Sequence, residues 1–187
     1  MENIYWIIIG IVIIVCYFLY YPMLPPKNYL PFDNFNSNRY LGKWHEIFRS
    51  NNIPFEQNLN YVTATYTQDE EGNLNVLNQG ATLQYQNDNL IVKNQQYIKG
   101  NAYPTNYSNI LLVKFFPLLR SPYVVLYSED VKDDWRYDYA VVGSGDYIWF
   151  LSRSDNIPSE ILKKMTQVAI KAGYDPQMIK KNRIEIN

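Results

Sequence analysis

The 187-residue chain has one cysteine, Cys16, and one histidine, His45. A lone cysteine forbids an intrachain disulfide, so a disulfide-stapled secreted scaffold is excluded and the fold must stand on packing. With so little Cys and His there is no cluster to hold a metal, and His45-Glu46 lacks the second histidine of a zinc-protease motif. His45 reads instead as a surface or mouth imidazole, and no cofactor is expected. Excess charge of one sign is missing too. Seventeen Lys and Arg against eighteen Asp and Glu leave a net charge of -1, with no long basic block. The footprint of a nucleic-acid binder is therefore absent, since Lys180-Lys181 with Arg183 is too small a patch to supply it. The carboxylates of Asp69-Glu70-Glu71 and Asp133-Asp134 fall in loops, where solvation explains them.

What the chain does have is apolar and aromatic residues, 47% and 16% respectively. The aromatic share favours strands and apolar-lined cavities. Residues 1–21 read as a transmembrane or signal-anchor helix: Ile4 to Tyr21 carries no charge and as a helix would span about 27 Å, close to the roughly 30 Å hydrocarbon core of a bilayer. Tyr5 and Trp6 at one end and Tyr17, Phe18, Tyr20 and Tyr21 at the other resemble interfacial belts, and Pro22 stops the helix. A single-pass membrane protein is the expectation, with a secreted or periplasmic product as the alternative if the segment is cleaved. Lys27, Arg39 and Lys43 point the following domain toward the cytoplasm, whereas the sequon Asn106-Tyr107-Ser108 points the other way. Residues 22–32 hold four prolines and read as an extended linker, leaving 33–187 as the folded domain.

From Trp44 onward, extended segments recur with turn chemistry between them: 44–49, 58–68, 73–85, 95–104, 109–117, 122–130, 134–143 and 146–154. The breaks fall at Asp69-Glu70-Glu71-Gly72-Asn73, at the polar loop Gln86-Asn87-Asp88-Asn89, at Leu119-Arg120-Ser121-Pro122 and at Gly143-Ser144-Gly145-Asp146. Eight antiparallel strands with short links predict an all-β, up-and-down barrel with room for one small ligand. Both faces of 109–117 are largely apolar, so that strand needs cover on its outside. A helix opened by Pro158 and Glu160 and capped by Ser159 is the candidate, with Ile161, Leu162, Met165, Val168, Ala169 and Ala172 at helical spacing until Gly173. Arg183 to Ile186 reads as a short final strand.

Asn34-Phe35, Tyr40-Leu41-Gly42-x-Trp44-x-Glu46-Ile47, Val62-Thr63-Ala64-Thr65-Tyr66, Gly72-x-Leu74-x-Val76, Tyr137-Asp138-Tyr139 and Trp149-x-Leu151-Ser152-Arg153, in this order and spacing, resemble a lipocalin. The similarity is to the bacterial outer-membrane lipocalin and apolipoprotein D branch, and it runs from about Asn34 to Asp175. It implies an eight-stranded barrel open at one end that binds a small apolar or amphipathic molecule. By the family pattern, Gly42 and Trp44 close the floor and Arg153 packs across it. A guanidinium over an indole face is worth about 0.5–2 kcal/mol, and Arg stacks where Lys would not. Bacterial members are typically held by lipid on an N-terminal cysteine, which this chain replaces with an apolar segment. Apolipoprotein D-like members carry disulfides that this chain cannot form.

Strand parity and the family pattern together nominate Tyr123, Val125, Tyr127 and Trp149 as cavity-facing, followed by Val113, Phe115, Tyr66 and Tyr139. The competing reading of each is an ordinary buried strand residue. Aromatic walls with a few hydroxyls suit an acyl chain with a polar head, buried at ~0.8 kcal/mol per CH₂. A fatty acid or lysophospholipid leads; sterols, retinoid-like molecules and haem-like rings stay open. Lipocalin-type isomerase chemistry needs a cavity thiol, and Cys16 lies in the membrane segment, so no enzyme is expected. The expected function is thus lipid carriage, storage or scavenging at a membrane. The alternative is a membrane-anchored interaction module in which the barrel is a rigid support and its outer aromatic surface meets a protein partner or a second copy, as in a homodimer.

Overall fold

The computed structural model describes residues 35–117, 119–130 and 135–184. The apolar N-terminal segment and the proline-rich linker lie outside these residues. Among the described residues, no helix is long and apolar enough to cross a membrane.

A one-turn helix, α1 (Ser37–Tyr40), is capped by the Asn36 side chain, which accepts from the backbone N–H of Asn38 at 3.0 Å. Gly42 then takes φ +93°, a conformation that side-chain-bearing residues rarely adopt, and turns the chain into the first strand. Eight strands follow in order: β1 (Gly42–Ser50), β2 (Tyr61–Gln68), β3 (Leu74–Gln86), β4 (Asn89–Pro104), β5 (Ile110–Phe116), β6 (Leu119–Glu129), β7 (Tyr139–Ser144) and β8 (Tyr147–Ser152). Each pairs antiparallel with the next, and β1 pairs with both β8 and β2, so the sheet closes into a ring, from which the β3–β4 hairpin extends beyond its pairing with β2 and β5.

Several boundaries differ from the sequence reading for physical reasons. Asn87 and Asp88 both take positive φ, 49° and 61°, the signature of a tight two-residue hairpin. What reads as a polar loop is therefore a sharp turn, and β4 begins at Asn89 rather than at 95. Leu119 to Pro122 is not a turn but the start of β6, with Pro122 opposite Leu112. The last strand among the described residues is β9 (Ile179–Lys181), which pairs with Phe48 to Ser50 along the edge of β1 that β2 has left; of the expected strand 183–186, Arg183 and Ile184 are not in a strand and the other two lie outside the described residues.

The second helix, α2 (Ser159–Lys171), is preceded by Pro158 as its N-cap, with no side-chain cap. Ser159 is thus the first helical residue rather than the cap, and the Pro158 carbonyl accepts the first helical bond from Leu162 N–H at 2.9 Å. Gly173 ends the helix at φ +90°. Ile161, Met165, Ala169 and Ala172 are buried against Val124, Leu126, Val141, Ile148 and Phe150. The helix therefore lies on β6 and β7, and it does not cover β5 as the sequence suggests; only Ile110 of that strand joins this outer cluster. A separate inner cluster, including Tyr40, Trp44, Tyr66, Val113, Val125 and Leu151, fills the closed end of the barrel.

Candidate functional site

The barrel floor is built around Trp44, which is fully buried. Its indole Nε1 donates to the Tyr40 carbonyl at 2.8 Å, tying β1 back to α1. Arg153, just past β8, places its guanidinium 3.7 Å from the Trp44 ring centroid. The same guanidinium donates to five carbonyls: Nε to Tyr137 at 3.0 Å, Nη1 to Lys43 at 2.8 Å, and Nη2 to Arg39 at 3.4 Å, Tyr40 at 3.1 Å and Leu41 at 2.7 Å. A side chain at Gly42 would place its Cβ 3.4 Å from Arg153 Nη1, in addition to the strain of the positive φ. Tyr137 stacks on Phe35 at 5.8 Å and accepts from the Asn36 N–H at 3.1 Å, which completes the plug.

Above the floor lies a cavity of about 1750 Å³. Its deepest polar feature is a node of three phenols: Tyr66 donates to the Tyr123 hydroxyl at 2.7 Å, and the Tyr40 and Tyr123 hydroxyls are also 2.7 Å apart. Burial raises all three pKa values, that of Tyr66 to about 12. The node is thus neutral at physiological pH, a hydrogen-bonding group without a base or nucleophile.

Five of the eight nominated residues line this cavity: Tyr66 from β2, Val113 and Phe115 from β5, Tyr123 from β6 and Trp149 from β8. Val125 is fully buried in the inner cluster without lining the cavity. Tyr127 and Tyr139 are not cavity-facing and join the outer cluster beneath α2. For Tyr127 the cause is a register shift between Val125 and Tyr127 in the β6–β7 ladder, which reverses the alternation. Its hydroxyl bonds Glu129 instead. Tyr139 belongs to the outward face with Val141, whereas Ala140 and Val142 point in.

Strand parity did not identify a buried ionic group on the cavity wall. Glu46, Arg49 and Glu56 are 3%, 6% and 9% exposed. A register shift between Glu46 and Phe48 in the β1–β8 ladder puts Arg49 opposite Trp149, and the β1–β2 loop folds Glu56 in beside them. Arg49 Nη1 donates to Glu46 Oε1 at 2.9 Å and lies 3.6 Å from Glu56 Oε2; its Nη2 donates to the carbonyls of Glu56 and of Leu59, the latter at 3.2 Å. Asn182 Nδ2 donates to Glu46 Oε1 at 2.8 Å, and Trp149 Nε1 to Glu56 Oε2 at 3.2 Å. Burial, then the charge of Glu56, pushes Glu46 up to about 8 against the pull of Arg49, and burial likewise raises Glu56. The sequence signal was Glu46 itself, an acid at the same parity as Trp44.

His45 is on the outer wall rather than at the mouth. Its Nδ1 lies 3.1 Å from Asp155 Oδ1 and 2.9 Å from Arg183 Nη2. Burial and the Arg183 charge lower its pKa despite Asp155.

A closed antiparallel barrel with one plugged end and an apolar, hydroxyl-bearing chamber above the plug defines a small-ligand-binding barrel. Comparison with known proteins narrows the class: the chain belongs to the lipocalin family, with a lipocalin-like domain matching residues 35–183. It is 36% identical over 155 residues to the outer membrane lipoprotein Blc of Escherichia coli K12, covering 81% of this chain and 80% of that protein. Mouse apolipoprotein D is 32% identical over 157 residues, covering 76% of this chain and 74% of that protein. Among solved structures, lobster apocrustacyanin A1 superposes with a TM-score of 0.61 at 21% identity, covering 81% of each chain, a likeness of fold.

Proposed function

We propose that the protein binds a single-chain lipid, such as a fatty acid or lysophospholipid, in the barrel cavity and carries, stores or scavenges it at a membrane. The observation that carries this reading is the cavity of about 1750 Å³. Its floor is plugged by Trp44 and Arg153, and its walls join Val62, Val76, Val113 and Leu151 to the phenols of Tyr66 and Tyr123. Such a wall takes an acyl chain at about 0.8 kcal/mol per methylene. Binding, not chemistry, is the function: the phenols are held neutral, and the only thiol, Cys16, belongs to the uncharged N-terminal stretch. Membrane association through that stretch is part of the proposal, supported by its length and by the relative named as an outer membrane lipoprotein.

Native mass spectrometry of the full-length protein purified from its own cell tests the reading. A co-purified lipid at one per chain is expected. A protein that emerges empty and stays empty when offered lysophospholipid or fatty acid contradicts it.

A further inference from the structure

The cavity has a chemical asymmetry that an acyl-chain site does not require. Among the described residues, every charged side chain lining it is acidic: Glu46, Glu56, Asp146 and Asp175. Arg49 does not line it, and its guanidinium is already committed to Glu46 and to the carbonyls of Glu56 and Leu59. Two buried carboxylates share this one guanidinium, so the group is one positive charge short when both are ionised. Asn78 adds to the same lining a side-chain oxygen that is buried and accepts no hydrogen bond.

A chain of three aromatic rings runs on from this group along the cavity lining. Trp149 fixes Glu56 through its indole N–H at 3.2 Å. Tyr147 meets Trp149 edge to face, with centroids 6.2 Å apart and planes at 67°. Phe55, one residue before Glu56 and 62% exposed, meets Tyr147 at 6.2 Å and 90°. Aromatic rings beside a carboxylate on one cavity wall supply the two components, π surface and counter-charge, that favour substituted ammonium groups. All four residues line the cavity, and Tyr147 and Trp149 are only half-buried, so their rings have surface left to cover.

We propose that the corner formed by Phe55, Glu56, Tyr147 and Trp149 is the head-group site, and that it takes a substituted ammonium on a single apolar chain in preference to a free carboxylate. This rests on the lipid-binding reading and assigns the charge class of its ligand. In the empty protein the Glu46–Glu56 pair answers its excess charge by holding a proton, because burial keeps Glu46 protonated up to about pH 8. An arriving ammonium replaces that proton. The groups facing the pair are Arg49, Asn182 and Trp149, with Asp146 and Asp175 elsewhere on the same lining. Cation affinity should therefore rise with pH up to about 8 and level off above it.

Calorimetric titration of the full-length, delipidated protein in amphipol, using dodecyltrimethylammonium, dodecanoate and dodecanoylglycerol, separates the possibilities. The ammonium probe is expected to bind at least about tenfold tighter than dodecanoate at neutral pH. Its affinity should climb from pH 6 to about 8 while that of the neutral glyceride stays flat. In Glu56→Gln the ammonium preference should fall to near parity with glyceride binding retained, and Trp149→Phe should weaken the ammonium probe selectively. Glyceride binding with dodecanoate equal to or tighter than the ammonium overturns the head-group assignment and leaves the lipid reading standing. A wild-type ammonium affinity that is flat with pH overturns the assignment even if Glu56→Gln fails to fold. Failure of all three probes overturns both.

Discussion

Arg153 holds the floor by two means at once, a face-on contact with Trp44 at 3.7 Å and donation to the carbonyls of Tyr40, Leu41, Lys43 and Tyr137. Lysine could offer one point charge to that site but neither the plane nor the fork. Arg153→Lys should therefore destabilise the barrel by about 2–3 kcal/mol, through the lost stacking and carbonyls left without donors; urea unfolding followed by tryptophan fluorescence measures it. Glu46 makes a different prediction. Its pKa is raised in the fold to about 8, so between the ordinary carboxylate range and about pH 8 the folded state holds a proton that the unfolded chain releases. Stability must then fall as pH rises through that window, by at most about 1.4 kcal/mol per pH unit, and flatten above it. Glu46→Gln should reduce the slope, leaving the smaller share that belongs to Glu56, and make the protein more stable than the parent near pH 8. Urea midpoints collected against pH read both effects, and a parent midpoint that rises over the same interval contradicts the assignment.

At the scale of elements, α2 is a brace on β6 and β7 rather than part of the cavity. Met165 is fully buried at the centre of that contact. Met165→Ala should cost about 2–4 kcal/mol of stability while leaving lipid affinity within about twofold, since the residue lies outside the barrel wall. Paired unfolding and binding titrations test both halves. The strands, their antiparallel order and this helix were legible because hydrophobic alternation and turn residues repeat along the chain. Tyr66, Tyr123 and Trp149 reached the cavity by the same alternation. Two register shifts, at Glu46/Phe48 and Val125/Tyr127, were not legible. A bulge changes which side chains share a face without changing composition, so Tyr127 read as inward and Arg49 was not placed beside Glu46. Glu56 arrives from a loop, where strand parity has no force. The length of β4 was hidden for a related reason: nothing but two positive φ values distinguishes the Asn87-Asp88 turn from a polar loop.

For the molecule as a whole, closure at β1 separates a plugged end from a chamber lined by apolar, aromatic and polar side chains, of which the charged ones among the described residues are all acidic. The floor joins Trp44 and Arg153 to backbone carbonyls, while the chamber keeps uncovered aromatic surface and two acids that share one guanidinium. Function as a lipid carrier requires that ligand occupy this chamber and not the outer surface. Ala64 lines the cavity on β2, beside the phenol node of Tyr66. The most direct test is calorimetric titration of a lysophospholipid into the delipidated full-length protein and into Ala64→Trp, whose added ring projects from the wall beside the phenol node and narrows the chamber there. One molecule bound per chain in the parent, weakened at least about tenfold in the narrowed variant with its fold intact by circular dichroism, is the predicted result. Equal binding by both proteins, or none by the parent, contradicts it.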